Sequence, residues 1–131
     1  MGLLRMMHAE VGEEAMDEGK VRARVMDCLG NGFLCVATSD GQVVGACGLL
    51  FTQFWYSSQF HMADTFFFIH PERRQSSYAG KLKRLCEGLA VEMQMKLYWT
   101  CVVTPASERK AAFFGRHNRL YAYVYVGGAA Q

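Results

Sequence analysis

"IHPERRQSSYAGKLKRL", residues 69 to 85, is the stretch on which the fold turns. The apolar run Phe66-Phe67-Phe68-Ile69 enters it and stops at Pro71. Proline has no N–H to give a ladder, so a strand ends there. Beyond the turn, Tyr78, Leu82, Leu85, Leu89 and Met93 recur in steps of four and three. That spacing predicts a helix starting near residue 77 with one apolar stripe. Between strand and helix lie Arg73, Arg74, Ser76 and Ser77, and Ala79 and Gly80 follow. A helix N-terminus offers free backbone N–H groups and the positive end of its dipole. Small residues let an anion reach those groups, and guanidinium suits phosphate. The segment reads as a phosphate or pyrophosphate cradle. Taken alone, it fits an ordinary solvated turn with surface arginines at least as well.

Working outward, residues 60–69 read as one strand, and its three successive phenylalanines imply burial on both faces. Upstream, "FLCVATSDGQVVGACGLLF" predicts a hairpin. Its strands are Phe33 to Ala37 and Val43 to Phe51, with Ser39-Asp40-Gly41 as the turn. "TQFWYSSQ" reads as a loop or strand end with exposed aromatics. Residues 12–29 carry a helical pattern at Ala15, Met16, Val21, Val25, Met26 and Leu29, and Gly30-Asn31-Gly32 breaks it. Downstream, "KLYWTCVVT", residues 96–104, is a strand stopped by Pro105. Ser107 is a suitable N-cap for a helix running through Phe113 and Phe114. Residues 120–126 alternate Tyr121, Tyr123 and Tyr125 with Ala122, Val124 and Val126 and read as a last strand. The expectation is a mixed α/β fold. Helices flank a mostly antiparallel sheet with one parallel pair, in a single domain over 1–131 with a tail at 127–131.

A chain of 131 residues can bury one real core, and 51% hydrophobic with 20% charged residues is ordinary for a globular protein. The net charge of +2 argues for neither nucleic acid nor membrane. Its distribution says more: Glu10, Glu13, Glu14, Asp17 and Glu18 form an acidic run, while Arg73, Arg74, Lys81, Lys83 and Arg84 form a basic one. Cys28, Cys35, Cys47, Cys86 and Cys101 are odd in number and lack metal-ligand spacing. They read as reduced, buried, small apolar residues, with no metal site. The polar N-terminus is unlike a signal peptide, and no apolar run has the length of a membrane span. A soluble cytoplasmic protein is expected.

The element order and "FIHPERRQSSYAGKL" resemble the GNAT acetyltransferase superfamily. Its signature is Q/R-x-x-G-x-G/A after a strand that ends in a V-x-P-like step. Ile69-His70-Pro71 matches the step, and Arg74-Gln75-Ser76-Ser77-Tyr78-Ala79 matches the signature with Ser77 for the first glycine. "VVGACGL" looks like the family's third strand. "SERKAAFFGRHNRLYAYVY" resembles its closing helix and strand, with Ser107 for an asparagine and Phe114 for a tyrosine. The resemblance implies acetyl-coenzyme A as co-substrate and a small-molecule or peptide amine as acceptor. It places the pantetheine arm and thioester at Phe67, Phe68 and Ile69. It places the pyrophosphate on the amides from Gln75 to Gly80, across Ser76, Ser77, Tyr78 and Ala79, with Arg73 or Arg74 on the phosphates. Ser107 and Phe114 join that cofactor-binding set. The family's usual first strand would have to come from "GLLRM", residues 2–6.

The amine must attack as the neutral base, so a proton acceptor is needed. Asp64 is the carboxylate in reach, since a charge in an apolar strand is costly without a purpose or a partner. A solvent-facing edge position is the equal alternative. His61 and His70 are further candidates, each with a surface or capping role as the plainer reading. The family often returns a proton to the thiolate from a tyrosine. Phe114 cannot do that, so Tyr121, Tyr123 and Tyr78 are the substitutes, and solvent is another. Three alternatives remain open at this point. One is an N-acetyltransferase. The second is a non-catalytic module of the same fold that binds an acyl-coenzyme A or dimerises, a homodimer being the base-rate assembly. The third is a nucleic-acid binder using residues 73–84, for which the chain holds no known motif.

Overall fold

The strand that leads into the quoted turn is an inner strand of the sheet. In the computed structural model, which describes residues 1–12, 14–74, 76–101, 107–122, 124–125 and 127–128, it spans Phe60–Ile69, as its composition predicts. Eight elements appear in chain order: α1 Gly2–Val11, α2 Glu18–Asn31, β1 Gly32–Ser39, β2 Gln42–Gln53, β3 Phe60–Ile69, α3 Tyr78–Glu92, β4 Leu97–Tyr98 and α4 Ser107–Gly115. A 3-10 turn, Pro71–Arg73, joins β3 to α3. The chain forms two compact units, Met1–Thr100 and Cys101–Gln131.

In the first unit the sheet order is β1-β2-β3-β4. β1, β2 and β3 are antiparallel, and β4 runs parallel to β3. The hairpin turn is Asp40-Gly41, both with positive φ (52° and 78°), between paired Ser39 and Gln42. Two left-handed residues give the turn whose twist matches the strands it joins. A second irregularity matters more. Gly48 faces Phe66 and Leu49 faces Asp64, so Thr65 is an extra residue in β3. Its hydroxyl donates to Gly48 O at 3.2 Å. Met62 and Phe67, an odd number of residues apart, thereby share the face that α3 covers. Phe66 packs on the opposite face with Leu4 and Ala46.

On the α3 face, Leu49, Met62, Ile69, Leu82, Cys86 and Ala90 form the core. The buried stripe of α3 is Leu82, Cys86 and Ala90, spaced by four. Of the expected stripe, Tyr78, Leu82 and Leu89 face the core, while Leu85, about 100° round the helix from Cys86, and Met93, past the helix end, are exposed. Four cysteines are buried thiols, and Cys35 faces Cys47 across β1 and β2. Cys101 is exposed, against expectation, because it lies past the end of β4.

Three further expectations change. Residues 2–6 lie in a helix rather than a strand. Leu3, Leu4 and Met7 then reach Ala46 and Phe66 from one helical face, which an extended chain would split between two. The second helix starts at Glu18, not near 12, because Asp17 caps it by accepting from Lys20 N at 3.1 Å. Strand pairing in 96–104 is limited to Leu97 and Tyr98, and 102–104 lie outside the described residues. The loop 54–59 exposes Trp55 almost fully, at 96%.

In the second unit α4 starts at Ser107, and Phe113 and Phe114 meet edge to face at 4.9 Å. The strand expected at 120–126 is absent among its described residues, Leu120, Tyr121, Ala122, Val124 and Tyr125. Alternation supplies faces, but a strand also needs a neighbour to bond, and Val124 and Tyr125 are 88% and 85% exposed. Tyr123 and Val126 lie outside the described residues.

Candidate active site

β3 builds both halves of the site. At its C-terminal end, His70 N donates to Val44 O at 2.7 Å, and the chain leaves the sheet. His70 Nδ1 accepts from Glu72 N at 3.2 Å, so this histidine caps the 3-10 turn. Ser76 N and its hydroxyl both donate to Arg73 O, folding the turn back toward α3. Ser77 stands at the N-cap of α3 without a side-chain bond to the helix. Tyr78 N, the first amide of α3, donates to the Ser76 hydroxyl at 3.4 Å, and Ser77, Ala79 and Gly80 keep the side chains around the first turn small. Gln75 lies outside the described residues.

The basic run is less free than its charges suggest. Arg74 Nε donates to Ile69 O at 3.1 Å, and its two terminal nitrogens reach the Glu10 carboxylate at 2.9 and 2.8 Å. The guanidinium also lies 4.8 Å from the centre of the Phe68 ring. Glu10 of α1 is therefore joined to the turn. Glu18, another member of the acidic run, is joined to Arg5, with Nη2 to Oε2 at 3.0 Å. Lys83 is buried, not part of a surface patch, and its Nζ meets Glu87 Oε1 at 3.0 Å. Arg73, Lys81 and Arg84 remain as the cationic groups of the segment on the outside or half-buried.

The other half lies midway along β3. Its parallel pairing with β4 covers only Met62 with Leu97 and Ala63 with Tyr98. The next ladder acceptor for Thr100 N would be the Asp64 carbonyl. Instead Asp64 Oδ1 accepts that N–H, at 3.0 Å. The carboxylate stands in for its own main-chain oxygen, and the described pairing of β3 with β4 goes no further. The edge of β3 from Thr65 to Ile69 is then without a β4 ladder partner among the described residues. Asp64 is half-buried on the α3 face, two residues from Met62. Burial pushes its pKa up to about 6, against the opposing pull of its hydrogen bonds from Thr100.

His61, expected at the surface, is buried. It stacks on Phe54 at 4.3 Å and meets Tyr98 at 4.9 Å. Burial lowers its pKa. Its odd separation from Asp64 points it to the opposite face. Tyr78 is half-buried against the core. Tyr121, Ser107 and Phe114 belong to the second unit, where Tyr121 is exposed and Phe114 O accepts from Asn118 Nδ2 at 2.7 Å. Among the described residues no three His, Cys, Asp or Glu side chains group to hold a metal ion, and no helix is long and apolar enough to cross a membrane. A groove of ≈ 610 Å³ opens on the α1 and α2 face, away from the strand divergence, between residues such as Leu3, Val25, Leu34 and Val36.

Residues 4–118 match the model of the acetyltransferase (GNAT) family. The chain belongs to that family. Solved structures of similar fold include a putative acetyl transferase from Pyrococcus furiosus, 14% identical, with a TM-score of 0.70 over 95% of this chain and 87% of that one. The aminoglycoside 6'-N-acetyltransferase AAC(6')-IG from Acinetobacter haemolyticus is 13% identical, with a TM-score of 0.66 over 90% and 86%. The ribosomal-protein-alanine N-acetyltransferase from Brucella melitensis is 17% identical, with a TM-score of 0.56 over 72% and 68%. No curated protein sequence matches the chain. The GNAT signature, read in the sequence at Arg74 to Ala79, falls on the turn between β3 and α3 and on the first two residues of α3. The partner of Asp64 was not legible there, nor was the burial of Lys83. The i,i+4 spacing of Lys83 and Glu87 was the available signal.

Proposed function

We propose that this GNAT chain is an N-acetyltransferase moving the acetyl group of acetyl-coenzyme A to an amine. One observation carries the reading: the pairing of β3 with β4 gives way at Asp64, and β3 then delivers the chain to a helix N-terminus whose N-cap, Ser77, makes no side-chain bond to it. The α3 amides and Arg73 or Arg74 hold the pyrophosphate, where helix dipole and small side chains favour an anion. The β3 edge at Phe67, Phe68 and Ile69 offers main-chain groups to the pantetheine amides. Asp64, ionised above its raised pKa, takes a proton from the ammonium form of the acceptor through water. The neutral amine then attacks the thioester carbon, the C–S bond breaks, and the thiolate leaves. The proton that the nitrogen sheds as the amide forms passes to the thiolate through Tyr121 or solvent, and His70 keeps the turn in shape. Four buried thiols are consistent with a reducing cytoplasm.

The test begins with thermal shifts at fixed salt using acetyl-coenzyme A, coenzyme A and inorganic pyrophosphate. A rise with both coenzymes, and little with pyrophosphate, is expected by mass action. Thiol release in an amine screen follows, and Asp64→Asn should bind the coenzyme without turnover. No shift at millimolar coenzyme refutes the reading. Coenzyme binding without any amine-dependent thiol release would leave a coenzyme-binding module instead.

A further inference from the structure

Just past the last paired residue of β4, Trp99 turns its indole toward α3. Its Nε1–H donates to Glu87 Oε2 at 3.1 Å, and Glu87 Oε1 receives Lys83 Nζ at 3.0 Å. The same indole meets Phe67 of β3 edge to face, with ring centres 5.6 Å apart and planes at 85°. Two aromatic rings from two diverging strands therefore meet across the gap on the α3 side. The Asp64 to Thr100 bond spans the same gap one residue further along β4. The indole is thus fixed from two directions, by a charged hydrogen bond on one side and a ring on the other. A carboxylate also held by a buried ammonium has little freedom to swing away.

Resting on the acetyltransferase reading above, we infer that Trp99 is a specificity-determining residue and Glu87 the positioning residue that holds it. The indole closes the narrow end of the gap between β3 and β4 on the α3 side. A thioester seated at Phe67 would bring its acyl group against this indole, whose bulk would favour a two-carbon group over longer chains. Apolar walls discriminate by size: each methylene that cannot be housed is worth about tenfold or more in selectivity. The bond from Glu87 matters because an indole free to rotate would admit the longer chain. Trp99 at this place follows no family motif read in the sequence. It is defined by the end of pairing at Tyr98 and by the reach of Glu87.

The experiment compares acetyl-, butyryl- and hexanoyl-coenzyme A on wild type, Trp99→Ala, Glu87→Ala and Glu87→Gln, by thermal shift and by thiol release. Wild type should favour acetyl. Trp99→Ala should move the hexanoyl-to-acetyl ratio up by about tenfold or more. Glu87→Ala should move it the same way by less. Glu87→Gln keeps an oxygen for the indole N–H but turns an amide NH2 toward Lys83, so its ratio should fall between those of wild type and Glu87→Ala, a graded order in acyl selectivity that a merely structural role would not produce. An unchanged ratio in Trp99→Ala that still binds acetyl-coenzyme A overturns the inference and leaves the acetyltransferase reading standing. Wild type that binds none of the three thioesters overturns both. Trp55→Phe gives a second measurement without touching the site, since Trp55 is 96% exposed and Trp99 becomes the sole indole. Saturating acetyl-coenzyme A should then change the Trp99 emission. Constant emission, with binding established by thermal shift, also overturns the inference.

Discussion

Replacing Asp64 by asparagine should make the protein more stable at alkaline pH while removing its turnover. The carboxyl of Asp64 has a folded pKa of about 6, against an ordinary value of 3.8, because burial penalises its charge. A raised carboxyl pKa means that the folded chain holds this proton more tightly than the unfolded chain does. The associated stability is complete below the unfolded pKa and is lost as pH rises through the folded one. Two units correspond to about 3 kcal/mol, nearly all of it lost by pH 8, with about 1.6 kcal/mol already lost at pH 5. Asparagine is similar in shape and neutral throughout, and its oxygen can still accept Thr100 N. It forfeits the charge-assisted part of that bond, about 1 kcal/mol. The variant should therefore exceed wild type by about 1–2 kcal/mol at pH 8, or roughly 4–8 °C in midpoint. The gap should widen by about 1.4 kcal/mol between pH 5 and pH 8. Urea unfolding at the two pH values measures it. A gap that stays constant or narrows refutes the account of Asp64 as an under-solvated carboxylate. In parallel, wild-type kcat/KM should fall as pH drops through about 6, and Asp64→Asn should lose turnover by about 10²-fold or more.

Three other perturbations test the framework. A Cβ on Gly48 would lie 2.6 Å from Phe66 Cε1 and Thr65 Oγ1 and 2.9 Å from Cys28 Sγ, so Gly48→Val should cost about 1–3 kcal/mol in urea unfolding; no loss would mean that the packing around the bulge gives way freely. Leu49→Ala removes a fully buried core side chain and should cost about 2–5 kcal/mol, with a smaller value implying a core that collapses around the gap. The Arg74–Glu10 pair is 39% and 37% exposed, so Glu10→Gln should cost no more than about 1 kcal/mol in stability. The same change should leave the coenzyme-induced midpoint rise as large or larger, whereas Arg74→Ala should reduce it; equal effects of the two would show that Arg74 acts only as a strut.

Much of the frame was legible because it is encoded locally. The limits of β3 followed from a run of strand formers closed by proline, and the hairpin from Asp40-Gly41. The small, basic turn before α3 carried the family signature even with Ser77 in the glycine position. The first helix was less legible, since five apolar and basic residues suit a strand or a helix. Its docking against Ala46 and Phe66 chose the helix. The alternation of 120–126 was a local signal with no described strand beside it.

What the sequence by itself determined is where the strands and the anion-binding turn lie, because proline, glycine and apolar periodicity act within a few residues of themselves. Only the tertiary structure decided which side chains face which partner. The extra residue at Thr65 puts Phe67 on the face of Met62, and no local pattern marks it, because a bulge is defined against the strand opposite. Lys83 is buried because Glu87 receives it, and the exposed guanidinium of Arg74 is tied down by a glutamate 64 residues earlier. Asp64 has its raised pKa because neighbouring chain covers it, and its hydrogen bond to Thr100 opens the strands, a contact made 36 residues away along the chain.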